Sequence, residues 1–306
     1  MEKLKALLTV HKTTVILVTV VIALLFGGFQ IYQKFFVSNA PVEEVDLPFD
    51  AEGPYALLYP RKDGHALILN VKRTSSYEAI SYELAYTSKS GEVAVEGGRV
   101  RENREEQEDL GNGDVVDRGV QGIIETKDKK GEYEQEILFG TCSKNVCKYD
   151  QGVANGTLTL HIVRASSGGK KKAYRMITQW HLEQPDVALG KLTSLDNHFT
   201  YRTEAKRADL ANVAFTIIND LTGVPKLPSG KEVLGKVYSL NVPIAKNLGE
   251  GQVSVELVEN PPADAKIYRF YESTNKWQEL ITKIDGSKLS AQANGAGIFA
   301  VLTSQK

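Results

Sequence analysis

Apolar and polar residues alternate along most of the chain after residue 55. Leu67, Leu69 and Val71 fall on one side of such a run, and Asn70 and Lys72 fall on the other. A period of two residues is typical of a β-strand with one buried face. The same alternation recurs within residues 80–86, 133–139, 158–162 and 174–182. The pattern therefore predicts many short strands.

Turn-forming residues separate these runs. Glycine follows a polar residue at Ser90-Gly91, Lys130-Gly131, Asn155-Gly156 and Ser167-Gly168. Such pairs mark hairpin turns and loops. Because no amphipathic helix lies between the runs, the arrangement favours an antiparallel β-sandwich over a parallel sheet covered by helices. We expect the first sandwich, of immunoglobulin-like type, to span residues 55–184.

Residues 185–306 repeat this pattern and predict a second β-sandwich. Strand-like runs fall within residues 237–240, 253–257 and 267–271. Residues 204–221 are rich in alanine and also fit a helix, but Val213 and the apolar run after it favour a strand. The two regions together predict an all-β fold class with two antiparallel β-sandwich domains.

The N-terminal part carries the strongest hydropathy signal. Residues 13–33 form a stretch of 21 residues without a charged side chain. As a helix they would span roughly 31 Å, which matches the hydrocarbon core of a bilayer. We therefore predict one N-terminal transmembrane helix over residues 13–33, embedded in the lipid bilayer and followed by the two sandwiches.

Charges on either side of this segment predict its orientation. Three lysines precede it, whereas residues 43–52 after it are mainly acidic. The positive-inside rule places residues 1–12 in the cytoplasm as a short tail. Residues 34–54 then follow outside as an extended linker, because they carry several prolines and no periodic pattern.

A cleaved signal peptide is the alternative to this anchor. Cleavage needs small residues at the cut, and the candidate site at residues 38–40 is followed directly by Pro41, which disfavours it. We therefore expect a single-pass protein of the cell membrane, with a cytoplasmic N-terminus and extracytoplasmic C-terminal domains.

The composition indicates a folded chain and excludes one class of partner. Of the 306 residues, 42% are hydrophobic and 25% are charged, as in ordinary globular proteins. A net charge of -1 gives no bulk attraction for a polyanion, so we expect no nucleic-acid partner. We also expect no cofactor, because the sequence contains no phosphate-binding loop or haem motif.

The two cysteines, Cys142 and Cys147, have four residues between them. That spacing suits a hairpin whose flanking positions face each other, close enough for a disulfide in an oxidising compartment. Zinc binding is the alternative, but two thiolates and a distant histidine such as His161 supply too few ligands. We expect a disulfide.

Residues 111–119, GNGDVVDRG, suggest an enzymatic hypothesis. They resemble a metal-binding signature of the phosphoprotein phosphatase family, and this resemblance implies a two-metal hydrolase. Its site residues would be Asp63, His65, Asp114 and His198. Two facts disfavour the hypothesis: no histidine follows His198 to complete the metal ligands, and the charged residues 101–109 before the motif cannot form a buried strand.

The same stretch is better interpreted as a long charged loop between two strands, with glycines at its turn. Its oxygen-bearing side chains lie close together in sequence and suit Ca²⁺ outside the cell. The candidate calcium ligands are Asp109, Asn112, Asp114 and Asp117. They lack the twelve-residue spacing of an EF-hand, so a solvated loop is the alternative, and we predict no other metal ligands.

Two resemblances concern the domains. Residues 55–184 resemble immunoglobulin-like or fibronectin type III modules of bacterial surfaces in their strand pattern. About the last 115 residues resemble the β-sandwich of ankyrins, netrin receptors and tight-junction proteins. That second resemblance is carried by residues 231–238, by Trp277 shortly after Tyr268, and by residues 297–302. It implies an interaction module with no catalytic residues to transfer.

Function is predicted from anchor and domains together. We expect a non-enzymatic, membrane-anchored envelope protein whose β-sandwich modules bind a protein or glycan partner outside the cytoplasmic membrane. Loops at the ends of the sandwiches would make the contact. Trp180 and Trp277 are expected in the cores, although an exposed tryptophan would suit a carbohydrate. A metal-dependent, phosphatase-like hydrolase and a subunit of an envelope secretion or assembly complex are the alternatives.

Overall fold

The computed structural model describes eleven segments between residues 44 and 305. They are residues 44–47, 53–74, 77–89, 93–96, 115–126, 131–144, 146–165, 171–184, 187–211, 213–244 and 248–305. The predicted cytoplasmic tail, the transmembrane helix over residues 13–33 and most of the linker lie outside these segments. Within them, no helix has the length and apolar character needed to cross a membrane.

Strands make up most of the described part of the chain. The first eleven are β1 (Glu44–Asp46), β2 (Tyr55–Pro60), β3 (Ala66–Lys72), β4 (Ala79–Lys89), β5 (Val93–Glu96), β6 (Val115–Ile124), β7 (Glu132–Leu138), β8 (Gly140–Ser143), β9 (Val146–Asp150), β10 (Asn155–Ala165) and β11 (Lys171–Glu183). The later strands are β12 (Lys191–Thr193), β13 (Phe199–Thr203), β14 (Phe215–Asn219), β15 (Lys231–Asn241), β16 (Glu250–Glu256), β17 (Lys266–Tyr271), β18 (Lys276–Glu279), β19 (Thr282–Asp285), β20 (Lys288–Asn294) and β21 (Gly297–Ser304). One short helix, α1 (Arg207–Leu210), interrupts them.

The predicted all-β class with antiparallel sheets is confirmed. Among the described strands, every pairing is antiparallel except that of β1 with β11. The alternation in β3 also has the expected consequence, because Leu67, Leu69 and Val71 are buried while Asn70 and Lys72 are partly exposed. Burial of one strand face thus accounts for the period of two.

A ten-stranded sheet forms the centre of the fold. Its strand order is β18-β17-β21-β15-β14-β11-β10-β4-β6, and β1 pairs with a different part of β11. The register of β11 with β14 sets Gln179 opposite Asn219 and Glu183 opposite Phe215. Strands from both sides of residue 184 therefore belong to one hydrogen-bonded sheet. Independent folding of residues 55–184 and 185–306 as two domains stays a prediction.

The first hydrophobic core lies between this sheet and the three-stranded sheet β2-β3-β7. Trp180 of β11 is fully buried there, and its ring centroid lies 5.8 Å from that of Phe139. Leucines and isoleucines of β3, β4 and β10 complete the cluster. Because two sheets enclose a layer of buried apolar side chains, this part of the fold is sandwich-like.

The second core lies between the large sheet and the five-stranded sheet β12-β13-β16-β20-β19. Three aromatic rings pack together at its centre. The ring centroid of Phe199 lies 5.1 Å from that of Tyr238 and 5.6 Å from that of Phe299. Residues of β14 and β21 contribute to both cores, because their successive side chains enter opposite faces of the large sheet. The part of the large sheet that contains β14 and β21 is therefore covered on both faces.

Part of the predicted linker is a strand. Residues 44–46 pair in parallel with residues 173–175 of β11. Two contacts between side chains hold them: Glu44 Oε1 lies 2.8 Å from His161 Nδ1, and Arg175 Nε donates to Asp46 Oδ1 over 2.8 Å. Glu44 and Asp46, which follow the predicted anchor, thus find partners on the exposed face of the sheet. The sequence does not indicate this strand, because the region has no periodic pattern.

Two local predictions need correction. Asn155-Gly156 was expected as a turn, but both residues lie in β10. Glycine is required there because a Cβ at Gly156 would lie 2.0 Å from the Ala85 carbonyl oxygen and 2.7 Å from the Trp180 ring. Residues 204–221 combine both predicted structures, with the single-turn helix α1 ahead of strand β14.

We predict that Trp180→Ala lowers the free energy of unfolding by about 3–5 kcal/mol, because it leaves a large cavity in the first core. Ile177→Ala is the matched control, since Ile177 lies on the opposite face of the same strand and is 47% exposed. It should change stability by roughly 0.5 kcal/mol or less. Urea unfolding followed by circular dichroism measures both, and equal losses would contradict the assignment of the core.

Candidate binding groove

A cavity of about 830 Å³ opens where one end of the sheet β2-β3-β7 meets the β17–β18 hairpin. We call it the groove. Its walls are lined by Tyr55, Lys72, Arg73, Gly131, Glu132, Pro225, Lys226, Leu227, Pro228, Phe270, Asn275, Lys276 and Trp277. These residues come from five separate parts of the sequence, so the tertiary fold alone assembles the site.

Strand register builds the first wall. Tyr55 of β2 and Glu132 of β7 both stand opposite Lys72 of β3, so three groove side chains share one end of this sheet. Lys72 Nζ donates to Glu132 Oε2 over 2.8 Å. Arg73 follows directly, and its guanidinium carbon lies 5.8 Å from the centroid of the Tyr55 ring. An aromatic side chain and two cations therefore face the cavity together.

The β17–β18 hairpin builds the second wall. Phe270 stands opposite Trp277, and their ring centroids are 5.5 Å apart. Asn275 in the turn has φ 52°, a left-handed conformation that asparagine tolerates better than most residues. Trp277 Nε1 donates to the Pro225 carbonyl oxygen over 3.3 Å. The indole ring is therefore held in place at the groove, partly buried, with its only N–H group already used.

A hydrogen bond connects the two walls. The Tyr59 hydroxyl of β2 donates to Glu272 Oε1 in the β17–β18 turn over 2.5 Å. Burial and, next, the neighbouring Glu272 carboxylate raise the pKa of Tyr59 far above its usual value, so its hydroxyl keeps its proton. This bond fixes the separation of the walls.

The groove carries an excess of positive charge. Four basic side chains and one carboxylate line it, an excess of three positive charges in a chain whose net charge is -1. Lys226 and Lys276 are exposed, and no carboxylate within the described segments forms an ion pair with them. Burial, followed by the charge of Glu272, raises the pKa of Tyr55 to about 12, so the phenol adds no negative charge. Local potential at the groove therefore favours anions.

The arrangement suits binding. Aromatic rings of Tyr55 and Trp277 present apolar surface, and the ammonium groups at the edge supply charged hydrogen-bond donors. In the segments that the structure describes, no group of three His, Cys, Asp or Glu side chains is placed to hold a metal ion. The groove thus combines apolar contact with charge recognition, as small-molecule and saccharide sites do.

The residues of the phosphatase hypothesis occupy separate places. Asp63 binds Arg61, with Oδ2 2.7 Å from Nη2, and the His65 ring stacks on Tyr149 at 4.3 Å between centroids. Burial raises the pKa of Asp63, but hydrogen bonds from Arg61 and from the His65 amide outweigh it and lower the pKa overall.

The third described residue of that hypothesis, His198, lies against another sheet. Its Nδ1 atom is 2.7 Å from the carbonyl oxygen of Glu256 in β16. Asp114, the fourth residue, lies outside the described segments. The described residues of the hypothesis are therefore engaged in local structure, and they are not assembled into a common cluster of metal ligands.

The calcium candidates fall mainly outside the described part. Asp109, Asn112 and Asp114 are not described. Asp117 is an exposed residue of β6 and stands opposite Thr87 of β4. The end of the predicted loop, from Val115 onward, is thus part of a strand. Calcium binding by these four residues stays a prediction.

The cysteine pair lies where the sequence predicts. Cys142 of β8 and Cys147 of β9 face each other in the hairpin, with Cα atoms 4.1 Å apart, and a disulfide joins them.

The sequence did not indicate the groove. Its lysines are isolated in sequence, and Trp277 was expected in a core, whereas it is only partly buried. Trp180 was expected in a core and is fully buried.

Sequence comparison gives no relative from which to infer the function of the groove. The chain matches no protein-family model and no curated protein. The argument for function therefore rests on the contacts and charges described above and on the sequence pattern.

We predict that iodide quenches the fluorescence of Trp277 more strongly than caesium does, by roughly threefold at low salt, because the groove concentrates anions. The chain has two tryptophans, so Trp180→Phe isolates Trp277. That replacement costs no hydrogen bond within the described segments, since Trp180 Nε1 has no partner there.

The converse variant, Trp277→Phe, is the control. Its remaining indole, Trp180, is fully buried and should resist both ions. Stern–Volmer constants measure the accessibility in each case. Equal quenching of Trp277 by iodide and caesium would contradict a basic groove, and quenching of Trp180 would contradict the first core.

Proposed function

We propose that this chain is a non-enzymatic, single-pass membrane protein of the cell envelope that binds a partner outside the cytoplasmic membrane. The uncharged residues 13–33 and the lysines before them support the anchor and its orientation. The disulfide between Cys142 and Cys147 fits an oxidising, extracytoplasmic compartment. The domains that follow the anchor would then lie outside the cytoplasmic membrane, within the cell envelope.

The proposal includes the finer fold assignment. Two hydrophobic cores, each between a pair of sheets, support two sandwich layers. We propose two β-sandwich modules over residues 55–184 and 185–306, with strands of the second also contributing to the first core. We propose an immunoglobulin-like module for the first. For the second we propose the sandwich of ankyrins, netrin receptors and tight-junction proteins. Both kinds of module present surfaces for interaction.

The groove carries the functional proposal. Its aromatic rings and unpaired lysines fit an acidic glycan, a sugar chain that bears carboxylates. The C–H face of a pyranose ring packs on an aromatic ring, and Trp277 offers its ring rather than its N–H group, which binds Pro225. Lys226 and Lys276 would receive the carboxylates as charge-assisted hydrogen bonds.

The size of the groove favours a glycan over a folded protein partner. A volume of about 830 Å³ lies within the range of small-molecule sites, and it accommodates a short stretch of sugar chain. A stable protein–protein interface buries about 800 Å² on each partner, which requires a broader complementary surface. We therefore propose the glycan and treat an acidic peptide as the competing ligand.

We predict that the chain binds polygalacturonate, and that Lys226→Glu with Lys276→Glu weakens this binding by tenfold or more, about 1.4 kcal/mol. Reversing two charges replaces attraction by repulsion at the edge of the groove. The matched control is Lys283→Glu with Lys288→Glu, an equal change in net charge at exposed lysines of β19 and β20. Biolayer interferometry on the chain in detergent measures both.

Two further probes separate the competing ligands. Neutral dextran tests whether charge is needed, and polyglutamate tests whether a sugar is needed. Trp277→Ala should remove binding of polygalacturonate while leaving any weak attraction of polyglutamate unchanged. Equal binding of polyglutamate and polygalacturonate, or equal loss in both lysine pairs, would overturn the glycan proposal.

A further inference from the structure

Strand β6 forms an open end of the large sheet. It pairs along its ten residues with β4, and no strand of the described segments pairs with its other side. Half of its main-chain N–H and C=O groups therefore point away from the sheet. Long unpaired edges of this kind are templates for pairing with another chain.

The side chains of β6 lack the usual protection of an edge. The strand contains no proline and no lysine, and it carries one acidic and one basic residue. Val115 is 64% exposed and Ile123 is 78% exposed, and both lie on the outer face of the sheet. Among the other described edge strands, β2 and β7 have six and seven residues, and β1, β5, β8, β12, β18 and β19 have only three or four each. Edge strands are commonly protected by shortness or charge, and β6 has little of either.

We propose that β6 pairs antiparallel with β6 of a second copy of this chain, about a two-fold axis at Gly119. The pairing would join the large sheets of two copies edge to edge. In this register Val115 stands opposite Ile123 of the second copy, and Asp117 stands opposite Gln121. Each contact occurs twice, as the two-fold symmetry requires.

The side-chain chemistry selects this register among its neighbours. An axis at Arg118 would set two guanidinium groups opposite each other, and an axis at Asp117 would oppose two carboxylates. Like charges directly opposite are destabilising. The Gly119 register avoids both and covers each exposed apolar side chain with another.

Registers shifted the other way are also worse. An axis at Val120 sets Ile123 opposite Asp117 and Val115 opposite Glu125. An axis at Gln121 sets Asp117 opposite Glu125, again two carboxylates. The Gly119 register therefore gives the most complementary pairing of the five.

Space at the axis permits close approach. A Cβ built on Gly119 meets no atom within 4 Å, so the outer face of the sheet is open at the position of the axis. On the other face of the strand, Arg118 is exposed, with Nε 3.7 Å from Asp150 Oδ2. Arg118 would stand opposite Val120 of the second copy, which adds no like charge.

Cysteine crosslinking of the full chain in detergent tests the register. Gly119→Cys places one thiol on the axis, and the native cysteines are already joined to each other. Mild oxidation should give a species of twice the 33.7 kDa chain mass. Ile281→Cys, 98% exposed on another part of the chain, is the control and should stay monomeric.

A mixture of two variants makes the test specific to the antiparallel register. Val115→Cys and Ile123→Cys should crosslink when mixed. Neither should crosslink alone, because identical positions lie eight residues apart in this register, roughly 27 Å at about 3.4 Å per residue. Crosslinking of Val115→Cys with itself would overturn the register.

Light scattering of the uncrosslinked chain measures the interaction itself. Ile123→Lys should raise the dimer dissociation constant at least tenfold, since it sets an ammonium group opposite Val115. Ile281→Lys should leave the constant unchanged. A monomer at all concentrations, or equal crosslinking of Gly119→Cys and Ile281→Cys, would overturn the proposal.

Discussion

The main-chain pairing of β11 with β14 is the constraint on which the rest of the structure depends. β11 also pairs with β10 and with β1, so one strand of 13 residues holds the strands after the linker, the first core and the second half of the chain in one sheet. Because Trp180 packs into the first core from this strand, the register of β11 also decides which of its side chains enter that core. A slip of one residue would turn Trp180 to the opposite face.

Some strands in the second half of the chain are buried on both faces, so polar side chains on either face need hydrogen-bond partners within the protein. Every residue of β14 is buried, including Thr216, whose hydroxyl donates to the Leu58 carbonyl oxygen across the gap between two sheets. Asn241 Nδ2 in turn donates to the Thr216 hydroxyl over 3.3 Å, and the Ser239 hydroxyl donates to Asn241 Oδ1 over 2.8 Å. These three polar side chains remain tolerable inside a double-sided sheet because each one finds a partner. Asn219, at the end of β14, is the contrast, since its buried amide atoms have no hydrogen-bond partner within the described segments.

The difference between one-sided and two-sided burial explains how far the sequence could predict the fold. Strands β3, β4 and β10 have one buried face, and their alternation revealed both the strand and its core residues. The β14 residues FTIIN are buried throughout and give no such alternation, so the pattern could not reveal that β11 and β14 pair. Pairing between strands more than thirty residues apart depends on tertiary packing, which a local pattern does not record. Strand β1 is a further case, because its partners His161 and Arg175 lie far along the chain.

The groove was beyond prediction for the same reason. Its charges are ordinary exposed lysines in sequence, and they become a site only because β2, β3 and the β17–β18 hairpin end at one place. A fixed distance between the walls matters for this effect, because residues of both walls must border the same cavity. The Tyr59–Glu272 bond supplies that distance: its carboxylate is satisfied by a neutral phenol rather than by Lys226 or Lys276. Lys226 and Lys276 therefore form no ion pair with Glu272, and the excess of positive charge at the groove comes from the four basic side chains that line it.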